Sequence, residues 1–327
     1  MSYAPTFKIT SKSINLISDI SAVLERVKIT DEKRDGLMLR KINRMKTIRG
    51  SLAIEGNTLS EEQVTALING KHIVAPVKEV QEVRNAVKVY ENFASYNPYD
   101  YKDLLKAHEI MSLGLVDNPG HFRDGGVCVA GNNGITHIAP PADIVPSLVS
   151  DLFNWLKISD DHLLVKSCVF HYEFEYIHPF EDGNGRMGRF WQSRILSSYN
   201  PVFAYIPVEN MIWENQTEYY RAIEDSTEKS DSGIFTEFML DLILKALQMH
   251  IKNDTVNDTV NDTVNFILRK ITENPFVSYD ELAAKSGKSR PTISRAIAKL
   301  KSEGILKRIG SDKKGQWRIA EKVREKI

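Results

Sequence analysis

The sequence has little cysteine and no long apolar run, and these two absences exclude whole classes of protein. Two cysteines, Cys128 and Cys168, among 327 residues provide neither a disulfide framework nor the spacing of a metal-binding motif. No stretch approaches the roughly 18 apolar residues of a membrane-spanning helix, and residues 1–8 lack the basic and apolar parts of a signal peptide. We therefore expect a cytoplasmic protein with no membrane partner.

Net charge is also absent, because 43 lysines and arginines balance 43 aspartates and glutamates. The balance hides an uneven distribution: residues 264–327 contain 16 basic and 7 acidic side chains, and the rest of the chain carries the opposite excess. A chain of this length is typical of roughly two to three domains. The charge shift therefore predicts a separate, basic C-terminal domain.

A tetrapeptide repeat precedes the basic segment. Asn-Asp-Thr-Val begins at Asn253 and recurs at Asn257 and Asn261. Asparagine, aspartate and threonine are weak helix formers, yet the valines recur every fourth residue, which places them on one face of a helix. The repeat is therefore either a linker or the entry to a helix, and we assign residues 251–263 as a repeat linker.

The basic segment has the pattern of a helix-turn-helix followed by two strands. We expect helices over 266–271, 279–286 with Ser278 as the cap, and 291–302, then strands over 304–309 and 315–319. This order resembles a winged helix, in which the third helix reads DNA. The side chains then expected at the exposed start of that helix or in the wing are Ser289, Arg290, Thr292, Ser294, Arg295, Lys313 and Lys314. Winged helices also dock proteins or dimerise, so DNA is one of two candidate partners for this domain.

The most informative segment is His178-Pro-Phe-Glu-Asp-Gly-Asn-Gly-Arg-Met-Gly-Arg189. Its glycines allow the backbone to approach a ligand closely, and a helical apolar pattern resumes over 190–195. A loop ahead of a helix start presents unpaired N–H groups and a positive dipole end, which favour an anion. The segment therefore predicts a phosphate-binding site whose candidate residues are Gly183, Asn184, Gly185, Arg186, Gly188 and Arg189.

The residue types of this segment also indicate a reaction. A hydroxyl nucleophile needs a base near neutral pH, and His178 is the candidate. Asp182 is a short carboxylate that suits Mg²⁺, and Arg186 suits a β-phosphate. Asn184 orients either the loop or an α-phosphate. The alternative is a glycine-rich loop with an ordinary ion pair between Asp182 and an arginine.

The same residues resemble, position by position, the signature of the Fic (filamentation induced by cAMP) family. The match comprises His178-Pro-Phe180, Asp182-Gly-Asn-Gly-Arg186 and Arg189. The resemblance implies transfer of AMP from ATP, with Mg²⁺, to a hydroxyl of a target protein and release of pyrophosphate. Members that resemble phosphotransferase toxins carry lysine at the position of Gly185, so glycine there favours AMP transfer.

A second motif, Ser51-Leu-Ala-Ile-Glu55-Gly56-Asn57, resembles the inhibitory helix of this family. Ile42, Met45, Ile48 and Leu52 keep helical spacing before it, and Gly56 supplies a stop, which puts Glu55 at a helix tip. The resemblance implies that Glu55 pairs with Arg189, which otherwise grips the γ-phosphate. The alternative is a solvated surface carboxylate. Some members also remove AMP, so the net direction of the reaction stays open. Whether the chain forms a homo-oligomer also stays open.

A β-hairpin is expected between the two motifs. Its strands flank Gly131-Asn-Asn-Gly134, and the residues assigned to it are Val127, Cys128, Val129, Ile135, Thr136 and His137. In the family this hairpin is a flap that pairs with an extended segment of the target. The alternative is a plain surface hairpin.

Three further assignments concern helices. Ser60 and Gln63 form a capping-box pattern, and Val80, Val83, Val87 and Tyr90 keep helical spacing downstream. His171 is taken as a core residue, whereas Tyr219 and Tyr220 either flank the adenine or belong to the core.

Together these features predict a mainly α protein, with a Fic-type helical domain, a β-hairpin flap and a C-terminal winged helix-turn-helix domain. We expect an N-terminal helical region with the inhibitory helix over 1–95, a catalytic core over 96–250, the linker, and the winged helix over 264–327. The expected activity is autoinhibited transfer of AMP from ATP to a serine, threonine or tyrosine hydroxyl of a target protein or of the chain itself. The alternative is a DNA-binding regulator whose Fic domain senses nucleotide.

Overall fold

A computed structural model of the chain describes residues 4–31, 37–131, 134–302, 304–310 and 315–320. The chain forms two compact units, Met1–His250 and Ile251–Ile327. In the described residues both units are mainly helical, and each contains one two-stranded antiparallel sheet. The predicted fold class, mainly α with a hairpin and a C-terminal winged helix, is confirmed.

Within the described residues the first unit contains ten complete α-helices, the first part of an eleventh and one hairpin. The helices are α1 (Ser11–Asp31), α2 (Leu37–Ile54), α3 (Glu61–Ile68), α4 (Val77–Glu91), α5 (Tyr101–Met111), α6 (Val145–Ile158), α7 (Leu163–Ile177), α8 (Asn184–Tyr199), α9 (Val208–Glu214), α10 (Gln216–Lys229) and α11 (Gly233–Glu273). The hairpin consists of β1 (Cys128–Gly131) and β2 (Gly134–Ile138). The capping box at α3 is confirmed, since Ser60 and Gln63 exchange side-chain and backbone hydrogen bonds.

The core of this unit is built around α7 and α8. Helix α7 is buried on almost every side, as expected for a helix surrounded by protein rather than one lying on a surface. Phe170 and Phe174 of α7 and Phe190 and Trp191 of α8 are fully buried in one cluster. The loop between the two helices is therefore carried by a rigid support.

Helix α2 belongs to the same core, where Ile48 is 1% and Leu52 is 2% exposed. The helix ends as the sequence predicts: Gly56 adopts φ +88°, which a glycine reaches without strain, and the Asn57 N–H donates to the Leu52 carbonyl at 3.1 Å. Glu55 consequently lies immediately beyond the last turn of a buried helix.

The predicted hairpin is confirmed. Strands β1 and β2 are antiparallel, with Cys128 opposite Ile138 and an irregularity between Val129 and Ala130. Val127 precedes β1, and its carbonyl accepts the Ala139 N–H at 3.1 Å. Asn132 and Asn133 lie outside the described residues.

The second unit contains the last part of α11, then α12 (Tyr279–Ser286), α13 (Arg290–Ser302), β3 (Leu306–Ile309) and β4 (Gln316–Ile319). Leu282, Ile293, Ile297 and Trp317 form its core. The Trp317 indole N–H donates to the Val277 carbonyl at 3.0 Å, so the strands are held against the helices. Helix α12 has the predicted Ser278 cap, and α13 begins one residue before Pro291. Lys313 and Lys314 lie outside the described residues.

One helix begins earlier than expected, and the repeat segment adopts one of its two expected forms. Helix α8 begins at Asn184 rather than near residue 190, because Gly183 at φ +86° turns the chain directly into the helix. Gly185, Arg186, Gly188 and Arg189 therefore belong to the first turns of a helix and not to a loop. The backbone of residues 251–263 is helical within α11, which is the second of the two forms that the repeat allows. The role of this segment as a linker between two domains stays a prediction.

Among the helices of the described residues, none combines the length and apolar character needed to cross a membrane.

Candidate active site

His178 occupies the turn that ends α7. Its backbone is left-handed, with φ 50° and ψ 60°, a conformation that side chains other than glycine seldom adopt. The Nδ1 atom lies 3.3 Å from the Glu175 carbonyl. Because a carbonyl only accepts, Nδ1 carries the proton and Nε2 is the basic nitrogen. The half-buried imidazole is thus held in the tautomer that a general base requires.

Asn184 fixes the loop that follows. Its side-chain oxygen accepts the Phe180 N–H at 2.9 Å, and its amide donates to the Phe180 carbonyl, also at 2.9 Å. Both polar groups of the Asn184 side chain therefore bond the loop. Of the two roles considered for Asn184, orienting the loop or the α-phosphate, this geometry corresponds to the first. Phe180 itself is fully buried and stacks on the imidazole of His108 with the ring centroids 3.6 Å apart.

Arg186 is a buried cation with unsatisfied donors. Its Nη2 lies 3.2 Å from an Asp182 carboxylate oxygen, and its Nη1 is 3.8 Å from Glu82, too far for a hydrogen bond. Both Nε and Nη1 are buried, and neither has a hydrogen-bond acceptor in the part of the chain that the structure describes. Buried donors are normally satisfied, so the side chain is arranged for an anionic acceptor at the start of α8.

Asp182 lies beside Arg186 and remains accessible, with 45% of its side chain exposed. Burial alone would raise its pKa, but the Arg186 charge and the Gly183 N–H, which donates at 2.6 Å, hold the pKa of Asp182 below its usual value. The carboxylate is thus ionised at neutral pH. In the described part of the chain no cluster of three or more histidine, cysteine or acidic side chains forms a complete metal site.

Arg189 is almost fully buried and is held by the motif that ends α2. Its Nη2 donates to a Glu55 oxygen at 2.6 Å and to the Ser51 carbonyl at 3.1 Å, and its Nε lies 3.4 Å from the Ser51 hydroxyl. Burial opposes the charge, but the combined effect of Glu55, Tyr219 and Glu175 outweighs burial and raises the pKa of Arg189. The structure thus joins Ser51, Glu55 and Arg189, as expected from the two sequence motifs.

Glu55 also covers the first turn of α8. A Cβ atom added to Gly185 would collide with the Glu55 Oε1 atom and would lie 2.9 Å from Arg189 Nη1. The carboxylate therefore lies against Gly185 in the first turn of α8, the end of the helix that favours an anion.

Gly188 faces protein rather than this space. A Cβ atom at Gly188 would lie 2.5 Å from Glu175 Oε1 and 3.1 Å from His171 Cδ2. The residue thus allows α8 to approach α7 closely.

The two tyrosines of α10 occupy different environments. Tyr219 is 1% exposed, and its hydroxyl lies 3.1 Å from His171 Nε2. This contact corresponds to a core role for Tyr219 and for His171. Tyr220 is half-buried, and its pKa is raised by burial and then by the negative charge of Glu55. Tyr220 is therefore the more exposed of the two tyrosines and lies within the electrostatic influence of Glu55.

Three residues near the site carry no sequence signal that could have singled them out. The guanidinium of Arg123 donates to the His178 carbonyl at 2.8 Å, and His108 Nε2 lies 3.0 Å from the Asp182 carbonyl. Glu82 accepts the side-chain amide of Asn57 at 2.8 Å. Their partners are distant in the chain, and no local pattern reveals such contacts.

In the second unit, the side chains expected to contact DNA lie at the start of α13. Arg290 and Arg295 are exposed, whereas Thr292 is half-buried with its hydroxyl 2.9 Å from that of Ser289. Arg290 Nε is 3.0 Å from Asp280 in a largely exposed ion pair, which is weak and easily exchanged.

The sequence model of the Fic/DOC family matches residues 98–196, and that of a winged helix-turn-helix DNA-binding domain matches residues 266–307. The "Protein adenylyltransferase Fic" of Culex quinquefasciatus is 30% identical over 215 residues, 62% of this chain and 40% of the relative. That of Aedes aegypti is 27% identical over 252 residues, 69% and 48% of the two chains. The chain thus spans less than half the length of these curated relatives.

The solved structures add a relative that matches end to end. The crystal structure of a Fic family protein from Desulfovibrio desulfuricans G20 is 38% identical, has a TM-score of 0.77, and is matched over 98% of this chain and 99% of that one. Fic-1 of C. elegans, at 19% identity and a TM-score of 0.57, shares the fold over 76% of each chain. The sequence motifs, the α7–α8 site and this full-length relative show that the chain belongs to the Fic family.

Proposed function

We propose that the protein is a protein adenylyltransferase held inactive by its own Glu55. The observation that carries this proposal is the Glu55 carboxylate, which bonds Arg189 at 2.6 Å while it covers Gly185. The curated relatives of this chain are named protein adenylyltransferases, which supports AMP transfer as the reaction. We assign the inhibitory region to residues 1–95, the catalytic core to 96–250 and the winged helix to 264–327.

In the proposed reaction a serine, threonine or tyrosine hydroxyl of the target attacks the α-phosphorus of ATP. The bond from that phosphorus to the oxygen bridging to the β-phosphate breaks, and pyrophosphate leaves with the electron pair. His178 Nε2 accepts the hydroxyl proton, since Nδ1 is already protonated toward the Glu175 carbonyl. The β1–β2 hairpin is proposed to pair with an extended segment of the target and to bring the hydroxyl to that nitrogen.

The start of α8 supplies the electrostatics for this step. Arg186 has buried donors without acceptors, and phosphate oxygens would satisfy them. The unpaired N–H groups of the first turn add the positive end of the helix dipole. Asp182, an accessible carboxylate, fits Mg²⁺, which commonly uses one protein carboxylate with phosphate oxygens and water. When bound there, Mg²⁺ would neutralise phosphate charge. We propose that the adenine lies near Tyr220.

Inhibition follows from competition for Arg189. A guanidinium can bind a phosphate through two parallel hydrogen bonds, so a buried arginine such as Arg189 suits a γ-phosphate. In the resting structure, however, the charge of Arg189 is already neutralised by Glu55. A phosphate in the same place would lie against the carboxylate, and like charges in a partly buried site repel strongly. ATP is therefore expected to bind in a strained or displaced pose until Glu55 moves away.

The test uses ATP labelled at either the α- or the γ-phosphate. We expect Glu55→Gly with Mg²⁺ to transfer the α-label to protein at a rate about 10 to 100 times that of the natural chain. The reason is that ATP no longer has to displace the charge-assisted bond between Glu55 and Arg189, which is worth roughly 1.5–3 kcal/mol. Adding His178→Ala should abolish transfer. Glu91→Gly removes an exposed glutamate from the last position of α4 and serves as the matched control. Transfer of the γ-label instead would identify a kinase, and an unchanged rate in Glu55→Gly would contradict autoinhibition.

The net direction of the reaction needs a separate measurement. Modified target is incubated with the natural chain without ATP, and released AMP is quantified. Release that depends on Glu55 would make this chain a remover of AMP as well.

A second candidate function is DNA-linked regulation in which the Fic domain senses nucleotide. The observation that favours it is the match of residues 266–307 to a winged helix-turn-helix DNA-binding domain, with Arg290 and Arg295 exposed on α13. A His178→Ala protein that still represses its target gene would favour this function over catalysis.

A further inference from the structure

Arg123 is a buried arginine whose three guanidinium nitrogens all donate hydrogen bonds to backbone carbonyls. The residue is 6% exposed. Its donors reach the carbonyls of His178 at 2.8 Å, Gly125 at 2.8 Å, Pro140 at 2.5 Å and Ile177 at 3.3 Å. Its own backbone N–H donates to the Pro179 carbonyl at 3.0 Å.

The charge of Arg123 is balanced in an unusual way. In the described residues no ion pair joins it to a carboxylate, and burial lowers its pKa. The compensation comes instead from carbonyl dipoles, two of which belong to the C-terminal end of α7, where the helix dipole is negative. Three guanidinium nitrogens share these four acceptors, and the single nitrogen of an ammonium cannot reproduce that arrangement.

The four carbonyls lie on two different parts of the site. Gly125 and Pro140 stand before β1 and after β2, so they form the base of the hairpin. Ile177 and His178 form the turn that presents the imidazole. Arg123 therefore connects the element proposed to hold the target with the residue proposed to accept its proton.

The turn at His178 needs such support. Its left-handed backbone is disfavoured for a residue with a Cβ atom, and such conformations persist only when surrounding contacts determine them. The His178 carbonyl is held by the Arg123 side chain, and the next carbonyl, that of Pro179, is held by the Arg123 backbone. The same residue thus holds two successive carbonyls of the turn.

We propose that Arg123 is a positioning residue that sets the distance between the hairpin and His178. The inference rests on the proposed AMP transfer and adds the part that aligns the target hydroxyl with the base. Reaction rates depend steeply on such alignment, because small displacements of a reacting group lower the rate by orders of magnitude. The groups assigned to ATP, by contrast, lie on α8, just before it and on α10, and none of them touches Arg123 in the contacts described.

The experiment compares two Arg→Lys variants, each combined with Glu55→Gly. Arg194 is the matched control: it is half-buried, donates to the Tyr96 carbonyl at 2.7 Å and to the Ser197 hydroxyl at 3.0 Å, and has no contact with the motif. We expect Arg123→Lys to lower kcat for AMP transfer at least about tenfold, with the Kd for ATP within about twofold of the Glu55→Gly parent. Arg194→Lys should leave both quantities unchanged.

A rescue measurement separates positioning from folding. Arg123→Ala in the same background is assayed with and without methylguanidinium at a concentration that leaves the Tm unchanged. Recovery of kcat at constant Tm and constant Kd for ATP supports positioning. Recovery that appears only together with a rise in Tm, or a parallel loss of ATP affinity in Arg123→Lys, would overturn it in favour of a purely structural role.

The two proposals fail in different ways. If Glu55→Gly transfers no α-label, the proposed function fails and this inference falls with it. If Glu55→Gly is active and Arg123→Lys retains its full kcat, only the role of Arg123 is refuted.

Discussion

The Glu55 carboxylate lies directly over Gly185 while it accepts a hydrogen bond of 2.6 Å from Arg189. One side chain thus neutralises a buried cation and fills the space above the start of α8. Both effects act against an incoming anion, and both depend on residue 185 having no side chain. The relationship makes the two positions energetically dependent on each other, which can be measured without any substrate.

Gly185→Ala is expected to destabilise the natural chain by roughly 1–3 kcal/mol, because its Cβ atom would collide with the Glu55 carboxylate. In a Glu55→Gly background the cost should shrink, since the remaining neighbour, the Arg189 Nη1 end, can then move. Urea unfolding of the four chains gives the coupling free energy. Gly126→Ala, where an added Cβ meets nothing within 4 Å, is the control. Equal costs in both backgrounds would contradict the contact.

Arg186 should distinguish phosphate binding from nucleoside binding. In the Glu55→Gly background, Arg186→Ala removes buried donors that lack acceptors in the resting structure. We expect the Kd for ATP to rise about 10- to 100-fold, as for loss of a charged hydrogen bond of roughly 1.5–3 kcal/mol, while the Kd for adenosine stays unchanged. Calorimetric titration measures both. Arg84→Ala, an exposed arginine of α4, is the control, and equal weakening of both ligands would exclude a phosphate role.

His108 should make the free energy of unfolding depend on pH. Gly120 N–H donates to Nδ1 at 2.9 Å, so Nε2 carries the proton toward the Asp182 carbonyl, and burial lowers the pKa of His108 to about 4. Between its ordinary pKa of 6.5 and about 4 the unfolded chain binds more protons than the folded one, so the free energy of unfolding falls as pH falls. The full loss is on the order of 3 kcal/mol.

The matching measurement is urea unfolding at pH 7 and pH 5 in the absence of nucleotide and metal. The natural chain should lose about 2 kcal/mol more than His108→Gln over this interval. His121→Gln, which removes an exposed imidazole, should keep the pH dependence of the natural chain. Identical losses in the natural chain and His108→Gln would show that His108 does not carry the effect.

The second unit should bind duplex DNA in a salt-dependent manner if it acts as a DNA reader. Each phosphate contact releases counterions, so the logarithm of the binding constant should fall linearly with the logarithm of salt concentration. Arg295→Ala is expected to lower the slope by about one. Binding that ignores salt, or no binding, would favour protein docking by α13.

The sequence was sufficient for the parts of the site that are local in the chain. The stop at Gly56, the helix before it and the glycine-rich segment each depend on neighbouring residues, so their patterns were readable. The pairing of Glu55 with Arg189 was expected only through the family resemblance, because nothing in the spacing of two segments 134 residues apart determines their contact.

The contacts that the sequence could not reveal are those between a side chain and a distant backbone. Arg123 meets the His178 carbonyl across 55 residues, and His108 meets that of Asp182 across 74. A carbonyl is the same in every residue, so no residue type marks the partner. The start of α8 was misplaced for a related reason: the glycines at 183, 185 and 188 suggested a loop, but only Gly183 has a positive φ and the others allow close contacts of a helix.

The burial of α2 determines how the site can open. Withdrawing the helix would expose Ile48 and Leu52, at about 1.5–3 kcal/mol for each side chain, together with their neighbours in the core. Glu55 lies past the last helical residue with 30% of its side chain already exposed, and it can swing toward solvent by rotation about its own bonds. Access for a nucleotide is therefore expected to require a change of rotamer at one residue, and the helix that carries it keeps its place in the folded protein.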